Sequence, residues 1–346
     1  MKACILSVAG PELSPEEAGL FRDQDPWAVI LMGRSCVSKT QIRKLVDQIW
    51  KTLERPCLIF IDQEGGRVAR LKAPEWPVFP PVALYGRLHE KHPAEALQAC
   101  YLGHFLMGRE LSTLGIHADC SPVVDLTIPG AHDIIGDRAF SGSPEIVGMF
   151  AEQALKGLSD AGVAGVIKHI PGHGRAKVDS HEALPIVESD REELEADFSA
   201  FHFVRSAPMA MTAHILYPEI DRLEPATTSN IVIDDVIRAR IGFDGLLMSD
   251  DLGMKALGGS LASRTERALE AGCDVALHCS GFLTDPKEIL SEMTEVATAA
   301  FPLEGVALER AVQAEASAQQ AIELDDVDAR RNYDALIRLA RTDVYG

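Results

Sequence analysis

The sequence predicts a single-domain α/β chain, a closed (β/α)8 barrel of the TIM type with extra C-terminal helices. Two observations carry that prediction. Eight short apolar runs alternate with longer segments of helical periodicity, as expected of parallel strands buried on both faces. The unusual polar residues gather at the C-terminal ends of those runs, where a barrel builds its active site. A doubly wound open sheet is the rival. It usually carries a glycine-rich phosphate turn after its first strand, and Gly10-Pro11-Glu12-Leu13 is not one.

The first run is Ala3–Val8, and Ser14-Pro15-Glu16-Glu17 then reads as a helix start, with proline at the first helical position and acids at the positive dipole end. The second run, Ala28–Met32, precedes a helix capped by Ser38 that carries Ile42, Leu45, Val46 and Ile49 at helical spacing. The third, Cys57–Ile61, leads into Asp62. A long helix over 94–114 precedes the fourth run, Ile116–Cys120, and a polar, glycine-containing loop over 126–143 follows it. A helix over 144–161 leads to the fifth run, Gly165–Ile167, which ends at Lys168 and His169. Ala210–Ala213, Leu246–Met248 and Val275–Leu277 complete the eight, with helices over 191–205, 230–241, 261–271 and 286–299. The tail over 304–346 reads as a helical extension of the same domain, and a monomer is expected.

Composition narrows the class. The 346 residues carry 52 acidic against 33 basic side chains, a formal charge of -19. That predicts a soluble protein and argues against nucleic acid or an anionic membrane as partner. No apolar stretch reaches membrane-span length, and the run inside Met1–Gly10 is too short for a secretory signal. The seven cysteines are odd in number and form no CxxC pair, which reads as buried thiols in a reducing compartment, the cytoplasm.

Residues 163–187 concentrate the chemistry: Lys168, His169, Asp179 and His181 lie beside a strand end and a Pro-Gly-His-Gly turn. A carboxylate beside an imidazole makes a proton shuttle near neutral pH; an incidental polar loop is the plainer reading. Lys168 reads either as a Schiff-base lysine or as a donor to a ligand, with His169 beside it. Asp250 leaves a buried strand as a candidate nucleophile. Only one of Asp250 and Asp251 is expected to face the barrel axis, and Asp251 reads as a turn cap. Asp62, Arg67 and Arg70 suit sugar hydroxyls, or a surface salt-bridge cluster in which Arg67 pairs with Glu64. Arg138 is a further donor, alternatively paired with Asp137 or Asp133, and His214 marks the end of the sixth run. His169, His173, Asp179 and His181 are types that bind zinc, but His173 sits in a turn expected to be flexible and no HExxH occurs, so neither metal nor cofactor is predicted.

Several motifs then coincide in order: Ile61-Asp62-Gln63-Glu64-Gly65-Gly66-Arg67-Val68, Gly136-Asp137-Arg138-Ala139-Phe140, Lys168-His169-Ile170-Pro171-Gly172-His173-Gly174, Asp179-Ser180-His181 and Ser249-Asp250-Asp251-Leu252-Gly253-Met254. Together they resemble the family-3 glycoside hydrolases, specifically the bacterial β-N-acetylglucosaminidases (β-hexosaminidases) of peptidoglycan recycling. The resemblance spans nearly the whole chain, and the KHxPGHG…DSH run is its specific part. Ala139 stands where serine is common. Other family-3 members typically carry their acid/base on a second domain, for which this chain lacks the length. The resemblance implies Asp250 as nucleophile, His181 as general acid/base assisted by Asp179, and Asp62, Arg70, Arg138, Lys168 and His169 as substrate-binding residues. Arg67 and His214 would be supporting residues. It implies a small carbohydrate substrate: a β-linked N-acetylglucosamine removed from a 1,6-anhydro-N-acetylmuramoyl peptide with retention, in cell-wall turnover and cell division.

Overall fold

A computed structural model describes residues 1–318 and 321–345. Eight parallel strands close into a barrel in sequential order: β1 Lys2–Leu6, β2 Pro26–Leu31, β3 Ile59–Ile61, β4 Ala118–Asp119, β5 Ala164–Ile170, β6 Met209–Thr212, β7 Leu246–Asp251 and β8 Val275–Leu277. All eight coincide with the expected apolar runs. β5 and β7 run further than the sequence suggests, so Lys168, His169 and Asp250 lie among the last residues of their strands.

Strand alternation divides the apolar residues between two cores. Ala28 and Ile30 of β2 join Ile5, Phe60, Val166, Met209, Met248 and Leu277 inside the barrel. Val29 and Leu31 join Leu6, Ile59, Ile167 and Leu247 against the surrounding helices. Burial on both faces explains why the strands read as unbroken apolar runs. The expected helices form with their caps: Ser14 makes a reciprocal capping box with Glu17, Ser38 caps Lys39–Leu53 and Ser143 caps Pro144–Asp160. The helix Val232–Ile241 is of the π type.

The sequence reading missed two features. A helix Ala83–His89 precedes Pro93–Ser112. A small antiparallel ribbon pairs Gln63–Gly65 with Val68–Ala69, turning at Gly65 and Gly66, whose φ angles of 92° and 57° favour glycine. The ribbon carries Glu64 and Arg67 over the barrel mouth.

The C-terminal extension forms two helices, Gly305–Ser317 and Asp326–Tyr345; residues 319, 320 and 346 of the expected tail lie outside the described residues. Ala311 and Ala314 of the first helix join the interior core, and Trp27 Nε1 donates to Glu315 Oε1 at 2.7 Å. The second helix packs on Ala83–His89 and Pro93–Ser112, with Tyr333 and Tyr85 hydroxyls 3.0 Å apart. Among the described residues no helix is long and apolar enough to cross a membrane, and all seven cysteines are free thiols.

Gly86 marks the tightest packing in this region: a Cβ there would lie 1.8 Å from the Phe140 carbonyl oxygen. Gly86→Ala must displace the Phe140 backbone and is expected to lower stability by about 1–3 kcal/mol, read as a shifted denaturant midpoint with an unchanged slope.

Candidate active site

A cavity of about 270 Å3 opens at the C-terminal ends of the strands. Asp62, Arg67, Arg70, Arg138, Lys168, His169, His181 and Asp250 all border it. Asp179 and His214 stand behind its wall, each bonded to a residue or strand end that borders it.

The floor is a buried ion-pair cluster. Lys168 Nζ lies 2.6 Å from Glu64 Oε1 and 3.0 Å from Asp62 Oδ1. Arg138 grips Glu64 with two bonds of 2.8 Å, and Arg70 holds Asp62 Oδ2 at 2.8 Å. Burial pushes both carboxyls up, but the cations outweigh it: Arg138 and Lys168 hold Glu64 down at about 2, and Lys168 and Arg70 hold Asp62 well below the usual range. Burial likewise opposes the Lys168 charge, yet Asp62 and Glu64 raise its pKa above the ordinary lysine value. An ammonium locked between two carboxylates has no free lone pair, which removes the Schiff-base reading of Lys168.

The two arginines exchange the partners suggested for them by sequence proximity. Arg138 takes Glu64, not Asp137 or Asp133, and Arg67 takes Asp137 at 3.1 Å, not Glu64. Arg67 also donates to the carbonyls of Asp133, Ile134 and Ile135 at 2.6, 2.8 and 3.2 Å. It therefore fastens the 126–143 loop, while Arg138 faces the cavity from that loop.

Two His–Asp pairs follow. His169 Nδ1 donates to Asp125 Oδ2 at 2.7 Å, and the His173 backbone N–H donates to Asp125 Oδ1 at 2.6 Å. His181 Nδ1 donates to Asp179 Oδ1, also at 2.7 Å, and its backbone N–H donates to the same oxygen at 2.8 Å. A carboxylate only accepts, so each bond places the proton on Nδ1 and leaves Nε2 as the acceptor of a neutral ring. Exposure distinguishes the pairs: 8% and 0% for His169 and Asp125, against 36% and 22% for His181 and Asp179. Although burial raises the Asp179 carboxyl, its bonds to the His181 N–H and ring bring it below the usual range.

Asp250 lies near the end of β7. Burial pushes its carboxyl up, but His214, His169 and the Asp251 N–H outweigh burial and keep it ionised; that N–H donates to Asp250 Oδ1 at 2.7 Å. His214 is fully buried, with Nε2 donating to the Asp251 carbonyl at 3.0 Å and Nδ1 against the Thr227 hydroxyl at 2.7 Å. It braces the end of β7 from behind. Asp251 also borders the cavity. Its Oδ1 nevertheless accepts from the N–H groups of Gly253 and Cys279 at 3.0 and 2.9 Å, so it shapes the turn. Adjacent Lys168 and His169 likewise both reach the cavity, because the β5–β6 register shifts between Lys168 and Ile170.

Sequence reasoning missed Glu64 as the hub of the cluster and Asp125 as the anchor of His169, though Asp125 lies five residues beyond the fourth apolar run. It also placed His173 in a flexible turn. The side chain is 2% exposed, borders the cavity and has Nε2 3.2 Å from Ser180 Oγ, and burial with the nearby His169 lowers its pKa to about 4. Among the described residues no three His, Cys, Asp or Glu side chains are grouped as a metal site.

The sequence model of the Glycosyl hydrolase family 3 N terminal domain matches residues 6–304. The chain belongs to glycosyl hydrolase family 3. Similar proteins include a β-hexosaminidase from Alkalilimnicola ehrlichii, 39% identical over 80% of each chain, and one from Methylobacillus flagellatus, 36% identical over the same shares. Among solved structures, native NagZ from Neisseria gonorrhoeae superposes with a TM-score of 0.82 at 30% identity, covering 98% of this chain and 96% of that one. The family resemblance read from the motifs holds, and the chain is a glycoside hydrolase of the β-hexosaminidase kind.

The floor cluster has a pH signature. Glu64 has its folded-state pKa depressed from 4.5 to about 2, so its stabilisation is complete above pH 4.5 and is lost as pH falls towards 2. Glu64→Gln leaves Lys168 and Arg138 buried and short of one carboxylate, and is expected to cost about 3–5 kcal/mol at pH 7. Urea titrations of both proteins from pH 7 to pH 2.5 should show the gap narrowing below pH 4.5.

Proposed function

We propose that the enzyme is a retaining exo-β-N-acetylglucosaminidase with Asp250 as nucleophile and His181 as general acid/base. The observation that carries this reading is the pairing, around one small cavity, of an ionised strand-end carboxylate with an imidazole whose Nδ1 is bound to Asp179. Protonated His181 gives its Nε2 proton to the glycosidic oxygen as Asp250 attacks the anomeric carbon, forming a glycosyl-Asp250 ester and releasing the aglycone. Neutral His181 then takes a proton from water, which attacks the same carbon, frees Asp250 and retains the β configuration. A histidine replaces the carboxylic acid usual in retaining glycosidases; Asp179 holds its tautomer and stabilises the imidazolium.

Asp62, Arg70, Arg138, Lys168 and His169 are read as the sugar-binding groups. Carboxylates accept from hydroxyls while cations and imidazole donate, and every member is fixed before substrate arrives. A cavity of about 270 Å3 is small among ligand sites, which favours one sugar residue and exo action. The neighbouring gonococcal NagZ has also been solved with N-trifluoroacetyl-D-glucosamine, in keeping with an N-acetylglucosamine glycone here. The finer assignment follows the motif resemblance: β-1,4-linked N-acetylglucosamine removed from 1,6-anhydro-N-acetylmuramoyl peptides, by a cytoplasmic monomer of peptidoglycan recycling.

A chromogenic β-N-acetylglucosaminide tests the roles. Asp250→Asn should lower kcat about a thousandfold or more with either good or poor leaving groups. His181→Ala should cost about 10^2- to 10^4-fold with an alkyl aglycone and much less with a nitrophenyl aglycone, which departs without a proton. Turnover by Asp250→Asn at the wild-type rate sinks the assignment.

A further inference from the structure

Phe282 is an anomaly at the cavity mouth. It borders the cavity, yet it is 74% exposed. Its ring stands edge-on to the His181 imidazole, with centroids 5.1 Å apart and planes at 78°. An aromatic left in water contributes little to folding, so its position calls for another explanation.

The loop beneath it is firmly held. Arg34 donates to the carbonyls of Cys279 and Ser280 at 2.9 Å and to the Ser280 hydroxyl at 3.0 Å. The same guanidinium is tied to Val8 O at 2.9 Å and Ser7 Oγ at 3.0 Å on the β1 side. Ser280 takes a left-handed conformation with φ 46°, which a non-glycine residue adopts at a cost, and the Arg34 bonds offset it. The exposed ring thus stands on a braced base.

Reaction geometry says what this ring meets. A general acid protonates the oxygen between the two sugars, so it lies on the leaving-group side of the scissile bond. The groups read as sugar-binding, Asp62, Arg70, Arg138, Lys168 and His169, serve the other side. A side chain in contact with His181 at the open rim therefore flanks the aglycone. An aromatic face carries negative quadrupole density and attracts the polarised C–H face of a pyranose.

We propose that Phe282 is the aglycone platform, a specificity-determining residue that stacks a second pyranose ring and favours sugar aglycones over small alkyl ones. The proposal rests on the reading of His181 as the acid/base. The alternative is that Phe282 only braces the His181 ring.

The full-length enzyme, Phe282→Ala and Phe282→Trp are assayed on three β-N-acetylglucosaminides: the disaccharide N,N′-diacetylchitobiose, the methyl glycoside and the glycosyl fluoride. A platform predicts that Phe282→Ala lowers the disaccharide-to-methyl ratio of kcat/KM about five- to tenfold, mainly through KM, and that Phe282→Trp restores it. A brace predicts parallel losses on the two glycosides that need acid, an unchanged ratio and a spared fluoride; that result overturns the proposal. An unchanged ratio with full activity overturns it as well. Wild-type enzyme inert on all three substrates removes the hexosaminidase reading, and the subsite with it.

Discussion

The active site depends on the mutual neutralisation of Asp62, Glu64, Arg70, Arg138 and Lys168. Lys168 is 3% exposed and Glu64 4%, and alone each would shed its charge rather than be buried with it. Paired, they join three segments far apart in the sequence: the β3 end with its ribbon, the 126–143 loop and the end of β5. Asp119 accepts from the Gln63 N–H at 2.9 Å, and burial pushes its carboxyl well up. The cluster sets three cations against two carboxylates, and Asp250 borders the same cavity.

The two His–Asp pairs show how one motif is put to two uses by its surroundings. Both have the same Nδ1 to oxygen distance of 2.7 Å. Asp125 is sealed in, and its second oxygen is occupied by the His173 N–H, so the His169 ring is a fixed part of the wall. Asp179 and His181 sit on a loop with solvent on one side, which suits the acid/base role proposed for His181. Ser180 between them bonds to buried His173, so the loop carrying the exposed pair is tied to the wall that carries the fixed one.

Fold and site were legible to different depths. The barrel showed itself because parallel strands buried on both faces write continuous apolar runs, and Asp62, Lys168 and Asp250 broke those runs at one end. Pairing was not legible. Glu64 and Arg67 are three residues apart, but the Gly65–Gly66 turn sends Arg67 to the 133–135 carbonyls and the Asp137 carboxylate and leaves Glu64 for an arginine on a distant loop. Alternation also failed at Lys168–His169, where a register shift brings both neighbours to the cavity. Phe282 gave no signal, since an aromatic in a loop has no period to violate.

Barrel closure has a consequence for the order of assembly. β1 completes the ring only by pairing with β8, and the backbone of Ala3 bonds to Phe301 while Leu303 bonds to Met1. The first strand synthesised therefore waits with an open edge until nearly all the barrel sequence has followed it. The interior core remains uncapped longer still, until Gly305–Ser317 can bring Ala311 and Ala314 against it. Such long sequence separation slows folding and prolongs exposure of strand edges, so the nascent chain is most vulnerable to aggregation just before the segment that seals its floor is made.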